Sequence, residues 1–350
     1  MTTATVRTEL DLVRAADGHL LVVERSWRAD VDPSRAPAVV LCHGFVQNRR
    51  AFECPRRSVS AWLRDAGAVV WLPELRGRDG VRIAAGLHEY VDIDAPAVLA
   101  AAHQRHPQVA WLGHSMGGLV GALSPEASSL AAVVAIGSPL FPGPPRLHGL
   151  ARAMIGPARA AHRRGRPFAG TRWGSLLWHL RHGLDVNGVP APLRLWVPGQ
   201  LDQDSLATML GATFAEDSYA VLADLLELVA TDAQRAGRVP VAERLGRLRS
   251  PLLVVAGGSD DLAPPSGTRP LFERAGSRDK QYLEISASRA PASLGHIDLV
   301  VGCSAPALVW RPALAFLRRH LALSLSEPAQ EPDAATPGPA SGPPGHGPSW

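Results

Sequence analysis

The apolar run Val109-Ala110-Trp111-Leu112 enters Gly113-His114-Ser115-Met116-Gly117-Gly118 directly, and a small-residue helix pattern follows at once. Few local sequences confine a chain so tightly. A strand that becomes a helix within a residue or two forces a sharp, strained turn at Ser115, and the flanking glycines leave the space that such a turn needs. The Ser115 hydroxyl is then thrust out at the carboxyl end of a strand and at a helix N-terminus. Gly-x-Ser-x-Gly alone is a weak signal, since a glycine-rich packing turn reads the same way. The strand before it and the helix after it give it weight.

The surrounding chain has the matching pattern. Leu10–Val13 and His19–Glu24 flank the turn Ala16-Asp17-Gly18 and read as a hairpin. Ala36–Cys42, Ala68–Leu72, Val109–Leu112 and Leu130–Ile136 read as short buried strands. Helical patterns lie between them, over Ser58–Ala66 and from a cap at Asp94 through Ala102. This alternation predicts a mostly parallel sheet covered on both faces. From Phe141 to about Arg249 helical signals dominate, with Trp173, Leu176, Leu177 and Leu180 on one face, and Leu222, Leu225, Leu226 and Val229 on another, each stripe expected to be buried against the domain. Strands resume at Pro251–Val255 and Gln281–Ile285, and Trp310, Leu314, Leu317 and Leu321 mark a last amphipathic helix. The expected organisation is a core in two parts, 1–140 and 250–325, interrupted by a helical cap at 141–249. Residues 326–350 hold seven prolines and four glycines without apolar periodicity and read as a disordered tail.

Composition excludes several classes. With 46% apolar residues the chain can pack a sizeable core. The net charge of +4 is mild, and Lys280 is the only lysine among 36 basic residues, a bias of a GC-rich genome rather than of a nucleic-acid surface. No RNA- or DNA-binding motif is present. Cys42, Cys54 and Cys303 are too few and scattered for a disulfide scaffold or a structural zinc site, which suits a reducing compartment. No apolar run is long enough to span a bilayer, and the N-terminus lacks the apolar core of a signal peptide, so a cytoplasmic protein is expected.

A serine hydroxyl is a poor nucleophile at neutral pH and needs a base, which in turn needs an orienting acid. Of 13 histidines, His296 follows the last strand in a loop that can return its ring over the sheet's carboxyl edge. It is the expected base. The acid should follow the penultimate strand, where Asp260 and Asp261 both qualify. The oxyanion needs two preorganised N–H donors: Met116, after the serine, and Phe45, in the loop His43-Gly44-Phe45-Val46 after an early strand. His43 is expected to brace this loop. No cofactor or metal is implied; Asp202 and Asp204 have no nearby histidine, and Asp204 reads as a helix cap.

Together these residues resemble an α/β-hydrolase-fold serine hydrolase, esterase- or lipase-like. The matching parts are Leu41–Phe45, Leu75–Arg78, Gly113–Gly118, Gly257–Pro264 and Gly295–Asp298, in the family order Ser, Asp, His. In that family the acid is followed by a variable residue, an aliphatic, a small residue and proline, so the resemblance places it at Asp260. Gly295-His296-Ile297-Asp298 is similar to the acid-lipase and polyhydroxyalkanoate-synthase branches. The polymerases of the latter carry cysteine where this chain has Ser115. Epoxide hydrolases and haloalkane dehalogenases carry aspartate there. The resemblance implies hydrolysis of a small-molecule carboxylic ester through an acyl-enzyme on Ser115, with a lipophilic acyl group suggested by the cap's leucines and tryptophans. Transfer of the acyl group to an alcohol or thiol is the alternative. A non-catalytic binding module on the same fold is a third reading, against which the intact Ser115, Asp260 and His296 set speaks. Eight arginines and no acid lie between Arg146 and Arg181, beside Trp173 and Trp178. They read either as a solvated helix face or as a lid face for weak contact with an anionic membrane surface or for recognition of an acidic acyl carrier. The oligomeric state is not legible.

Overall fold

A computed structural model describes residues 5–78, 83–186 and 195–323. The tail expected at 326–350 lies outside them. The strands are β1 (Val6–Arg14), β2 (Leu20–Arg28), β3 (Ala38–Cys42), β4 (Val69–Pro73), β5 (Val109–His114), β6 (Ala132–Ile136), the two-residue β7 (Pro167–Phe168) and β8 (Asp217–Ser218), β9 (Leu252–Gly257) and β10 (Lys280–Ile285). The helices are α1 (Val59–Asp65), α2 (Leu87–Glu89), α3 (Ala95–His103), α4 (Met116–Leu123), α5 (His148–Arg163), α6 (Gly170–Val186), α7 (Gln203–Ala212), α8 (Tyr219–Ala230), α9 (Val241–Arg247), α10 (Pro265–Arg274), α11 (Asp298–Val301) and α12 (Arg311–Arg318).

Eight strands form one sheet in the order β1-β2-β4-β3-β5-β6-β9-β10. β2 is antiparallel to both β1 and β4, and every other pairing in this sheet is parallel. The strand carrying the serine turn, β5, sits inside the sheet between β3 and β6. Alternate side chains of the central strands enter two separate cores. Val40, Cys42, Trp71, Trp111, Val133 and Val254 pack with α3, α4 and α9 on one face. Val39, Leu41, Val70, Leu112, Val134 and Val255 pack with α1, α11 and α12 on the other. Burial on both faces is why these strands read as continuous apolar runs rather than as alternating ones.

Three local expectations are corrected. Asp94 does not cap α3: it is helical itself, and its carboxylate takes the buried Arg76 side chain, Nε to Oδ1 at 2.8 Å. Asp204 is not the cap of α7. Asp202 is, accepting from Ser205 N at 2.9 Å, while Asp204 sits in the first turn facing Arg56. The apolar stripe of α6 does not face inward as a unit. Trp173, Leu176 and Leu180 are about half exposed, at 52%, 47% and 51%, whereas Leu177 and Trp178 pack against the second core.

Among the described residues between β6 and β9 the regular structure is helical apart from the short β7–β8 pair. Within it α5 packs on α8, and α6 on α7. Its later part is built into the first core through Val221, Leu228, Val241 and Leu245.

Candidate active site

Gly113 and Gly117 make the serine turn possible. A Cβ on Gly113 would overlap the backbone of Gly117 and Gly118, and a Cβ on Gly117 would overlap the Cys42 carbonyl oxygen at the end of β3. Between them Ser115 takes φ 55° and ψ −123°, a conformation that non-glycine residues rarely adopt and that persists only where the surroundings enforce it. Its N–H is fixed to the Ile136 carbonyl at 2.8 Å. Met116 opens α4, so its N–H belongs to the first helical turn, where backbone donors have no partner within the helix.

His296 and Asp260 come from the loops after β10 and β9. Their side chains meet at 2.8 Å, Nδ1 to Oδ2, and both residues are buried. The other Asp260 oxygen, Oδ1, accepts from Leu262 N at 2.9 Å and Ala263 N at 2.7 Å, which fixes the carboxylate's plane. Asp261, its neighbour, is half-buried. The serine turn and the His296 loop are tied directly. His114, next to Ser115, contacts the His296 carbonyl through Nε2 at 3.1 Å, with the two rings 4.6 Å apart. Burial, and then the electrostatic effect of the adjacent His296 ring, hold His114 well below the ordinary imidazole value.

Phe45 lies in the loop after β3. Gly44 abuts the serine turn, where a Cβ on it would stand 3.1 Å from the Ser115 Cβ. The Gly44 N–H donates to Gln47 Oε1 at 3.2 Å, and the same oxygen lies 3.2 Å from His114 Nδ1. His43, fully buried, lies under the loop: Nδ1 is 3.0 Å from the Gly44 carbonyl, and Nε2 is 3.2 Å from Glu74 Oε1. Burial alone would raise the Glu74 carboxyl, yet His43, Arg78 and Arg49 together hold it below its ordinary value. The structure thus brings Ser115, Met116, Phe45, Asp260 and His296 to the carboxyl end of β3, β5, β9 and β10.

Asp298 received no role from the sequence, although it stands in Gly295-His296-Ile297-Asp298. Its Oδ2 accepts from Gly295 N at 2.8 Å and from Val197 N at 2.7 Å, joining the His296 loop to the segment before α7. Its Oδ1 is buried and has no hydrogen-bond partner among the described residues. Burial raises its pKa to about 7, against the pull of those two N–H groups, and the nearby Asp260 charge adds to the rise. Gln47 was missed as well, because a lone polar residue in a loop carries no pattern. Among the described residues no group of three His, Cys, Asp or Glu could hold a metal ion, and no helix is long and apolar enough to cross a membrane.

A serine in a strained strand-to-helix turn and a buried histidine–aspartate pair, both at the carboxyl edge of a doubly covered, mostly parallel sheet, make the arrangement of the α/β-hydrolase architecture. The chain belongs to the α/β hydrolase fold family, whose model matches residues 37–289. A monoacylglycerol lipase of Mycolicibacterium smegmatis is 28% identical over 271 residues, which cover 76% of this chain and 84% of that protein. A solved monoacylglycerol lipase of Paleococcus ferrophilus shares the fold with a TM-score of 0.52 at 18% identity, covering 81% of this chain and 94% of that one. A thermophilic esterase of Thermogutta terrifontis does so with a TM-score of 0.56 at 18% identity, covering 90% and 99%.

Proposed function

We propose that this protein is a serine hydrolase that cleaves a carboxylic ester with a lipophilic acyl group through an acyl-enzyme on Ser115. The observation that carries the reading is the Ser115 turn together with the 2.8 Å His296–Asp260 pair. With the Nδ1 proton held by Asp260, the lone pair of His296 lies on Nε2, the tautomer a general base needs. Ser115 Oγ attacks the ester carbonyl and its proton passes to His296. The proton then goes to the departing alcohol as the ester C–O bond breaks. Water, deprotonated by His296, attacks the acyl-enzyme and releases the carboxylic acid. The N–H groups of Phe45 and Met116 bind the oxyanion in both steps. The 28% identity to a monoacylglycerol lipase favours an ester substrate.

The insertion at 141–249 acts in this reading as a cap that lines the acyl pocket. Supporting it, Phe168 of β7 lies 5.2 Å from Phe45 and 5.2 Å from Tyr219, ring to ring, so aromatic groups of the insertion stand against the oxyanion loop. An apolar pocket adds up to about 0.8 kcal/mol per methylene, about fourfold in kcat/KM. The test is a series of p-nitrophenyl esters. Specificity should climb from acetyl to medium chains and level off, and Phe168→Ala should flatten the climb. A profile that peaks at acetyl refutes the pocket.

The same cap presents Leu150 and Met154 of α5 and Trp173, Leu176 and Leu180 of α6 to the outside, beside arginines. Weak contact with an anionic membrane surface follows from that pairing. Sedimentation with vesicles rich in an anionic lipid, but not with neutral ones, would support it. A cytoplasmic location suits the three unpaired cysteines.

A further inference from the structure

The loop that carries Phe45 is strained and must be held. Val46 has φ 54°, in the left-handed region that a β-branched residue avoids. The Val46 N–H donates to Asp217 Oδ2 at 2.9 Å, and its carbonyl accepts from Ala215 N at 2.8 Å. The next carbonyl, of Gln47, accepts from Arg78 Nε at 2.8 Å, and Asn48 N donates to the Thr213 carbonyl at 2.9 Å. Bonds on the loop's outer side therefore go to one segment of the insertion, 213–217, and to Arg78.

Asp217 is where these bonds converge. Its side chain is fully buried, as is that of Arg78. Oδ2 accepts a second bond, from Arg78 Nη2 at 2.7 Å. Oδ1 accepts from the Tyr90 hydroxyl at 2.9 Å and from Ser218 N at 2.7 Å, and the Tyr90 oxygen accepts in turn from Arg78 Nη1 at 2.9 Å. A buried carboxylate that is paired and bonded through both oxygens has a single orientation. It comes from the insertion and fixes a backbone N–H of the core.

We infer that Asp217, oriented by Arg78 and Tyr90, is a positioning residue for the reaction: it holds Val46 in its left-handed conformation and so aims the preceding Phe45 N–H at the oxyanion. The insertion is then part of the catalytic framework as well as a cover over it. This rests on the reading of Ser115 as nucleophile and Phe45 as oxyanion donor. Glycine adopts a positive φ without steric cost, so Val46→Gly reduces the need for the clamp. That gives a readout which a purely structural ion pair would not move.

The experiment uses the full chain with Asp217→Asn, Tyr90→Phe, Val46→Gly and the two double variants containing Val46→Gly. It measures kcat and KM on p-nitrophenyl butyrate, the thermal midpoint and fluorophosphonate labelling of Ser115. Asp217→Asn should lower kcat on the order of a hundredfold, the scale of losing one oxyanion donor, with KM within about twofold. In the Val46→Gly background the same change should cost about tenfold or less. Folded Asp217→Asn protein with wild-type kcat, or an equal loss in both backgrounds, overturns the inference. Should Asp217→Asn fail to fold, the Tyr90→Phe cycle decides by the same criterion, with a smaller loss expected. A wild type that neither turns over the ester nor takes the label overturns the reading beneath, and this inference with it. An active, labelled wild type with no coupling between positions 217 and 46 overturns this inference alone.

Discussion

Replacing Asp298 by asparagine should reverse part of the protein's pH–stability profile. The folded-state pKa of Asp298 is raised to about 7 from an ordinary 3.8. Below the lower value both folded and unfolded chains hold the proton and there is no penalty. As pH rises past it the unfolded chain ionises first, so the fold loses stability until the folded carboxyl also ionises near pH 7. The penalty is then about 2 kcal/mol at pH 5 and about 4 kcal/mol at pH 8. Asparagine never ionises, and its Oδ1 can keep the bonds from Gly295 N and Val197 N. Its amide nitrogen would take the place of the unpartnered oxygen, at a constant cost of about 1–3 kcal/mol. That cost does not change with pH, so the variant-minus-wild-type difference isolates the titration. Urea unfolding of both proteins at pH 5, 6, 7 and 8 measures it. The difference should move in the variant's favour by about 2–3 kcal/mol between pH 5 and pH 8. A difference that stays flat across this range refutes the reasoning and places the Asp298 proton equilibrium elsewhere.

Ser115→Ala should leave the thermal midpoint near wild type while reducing ester turnover on the order of a million-fold, read with purified protein. Asp260→Asn should cut kcat far more than Asp261→Asn, because the 2.8 Å bond to His296 belongs to Asp260; the reverse ranking in a kinetic comparison would move the acid by one residue. Gly117→Ala should destabilise by about 3 kcal/mol or more, since its Cβ would overlap the Cys42 carbonyl oxygen, which cannot yield without moving β3; a urea midpoint unchanged from wild type would contradict the packing of the turn.

Legibility in the sequence followed burial. β3, β5, β6 and β9 are buried on both faces, and their apolar runs stand out. The Ser115 turn was legible because glycine is the one residue that fits where the backbones of Gly113 and Gly117 meet. The α6 stripe misled because periodicity reports amphipathicity and not which side is inward, and here Leu177 and Trp178, not Trp173 and Leu180, meet the core. Asp94 and Asp204 looked like caps because short carboxylates favour helix starts. Each instead answers an arginine that is distant in sequence, Arg76 and Arg56. Long-range pairing of that kind has no local signature. Arg78 lay inside a visible motif, but Asp217 stands 139 residues away and nothing local marks it.

The sheet order also dictates when the protein becomes chemically competent during folding. β6 pairs with β9, Val133 with Leu252, so the sheet closes across the whole stretch of chain between them. Closing so long a loop costs little at equilibrium, about 0.6 kcal/mol for each doubling of its length. Its toll is kinetic, because contacts distant in sequence form late. Trp71 and Trp111 belong to the earlier strands and can bury as β3, β4 and β5 assemble. Asp260 and His296 arrive with β9 and β10. In a refolding chain the serine turn can therefore form before a histidine stands beside it, and Trp71 and Trp111 bury before ester turnover returns, whereas Trp62 and Trp310, which stack on each other, report the later step.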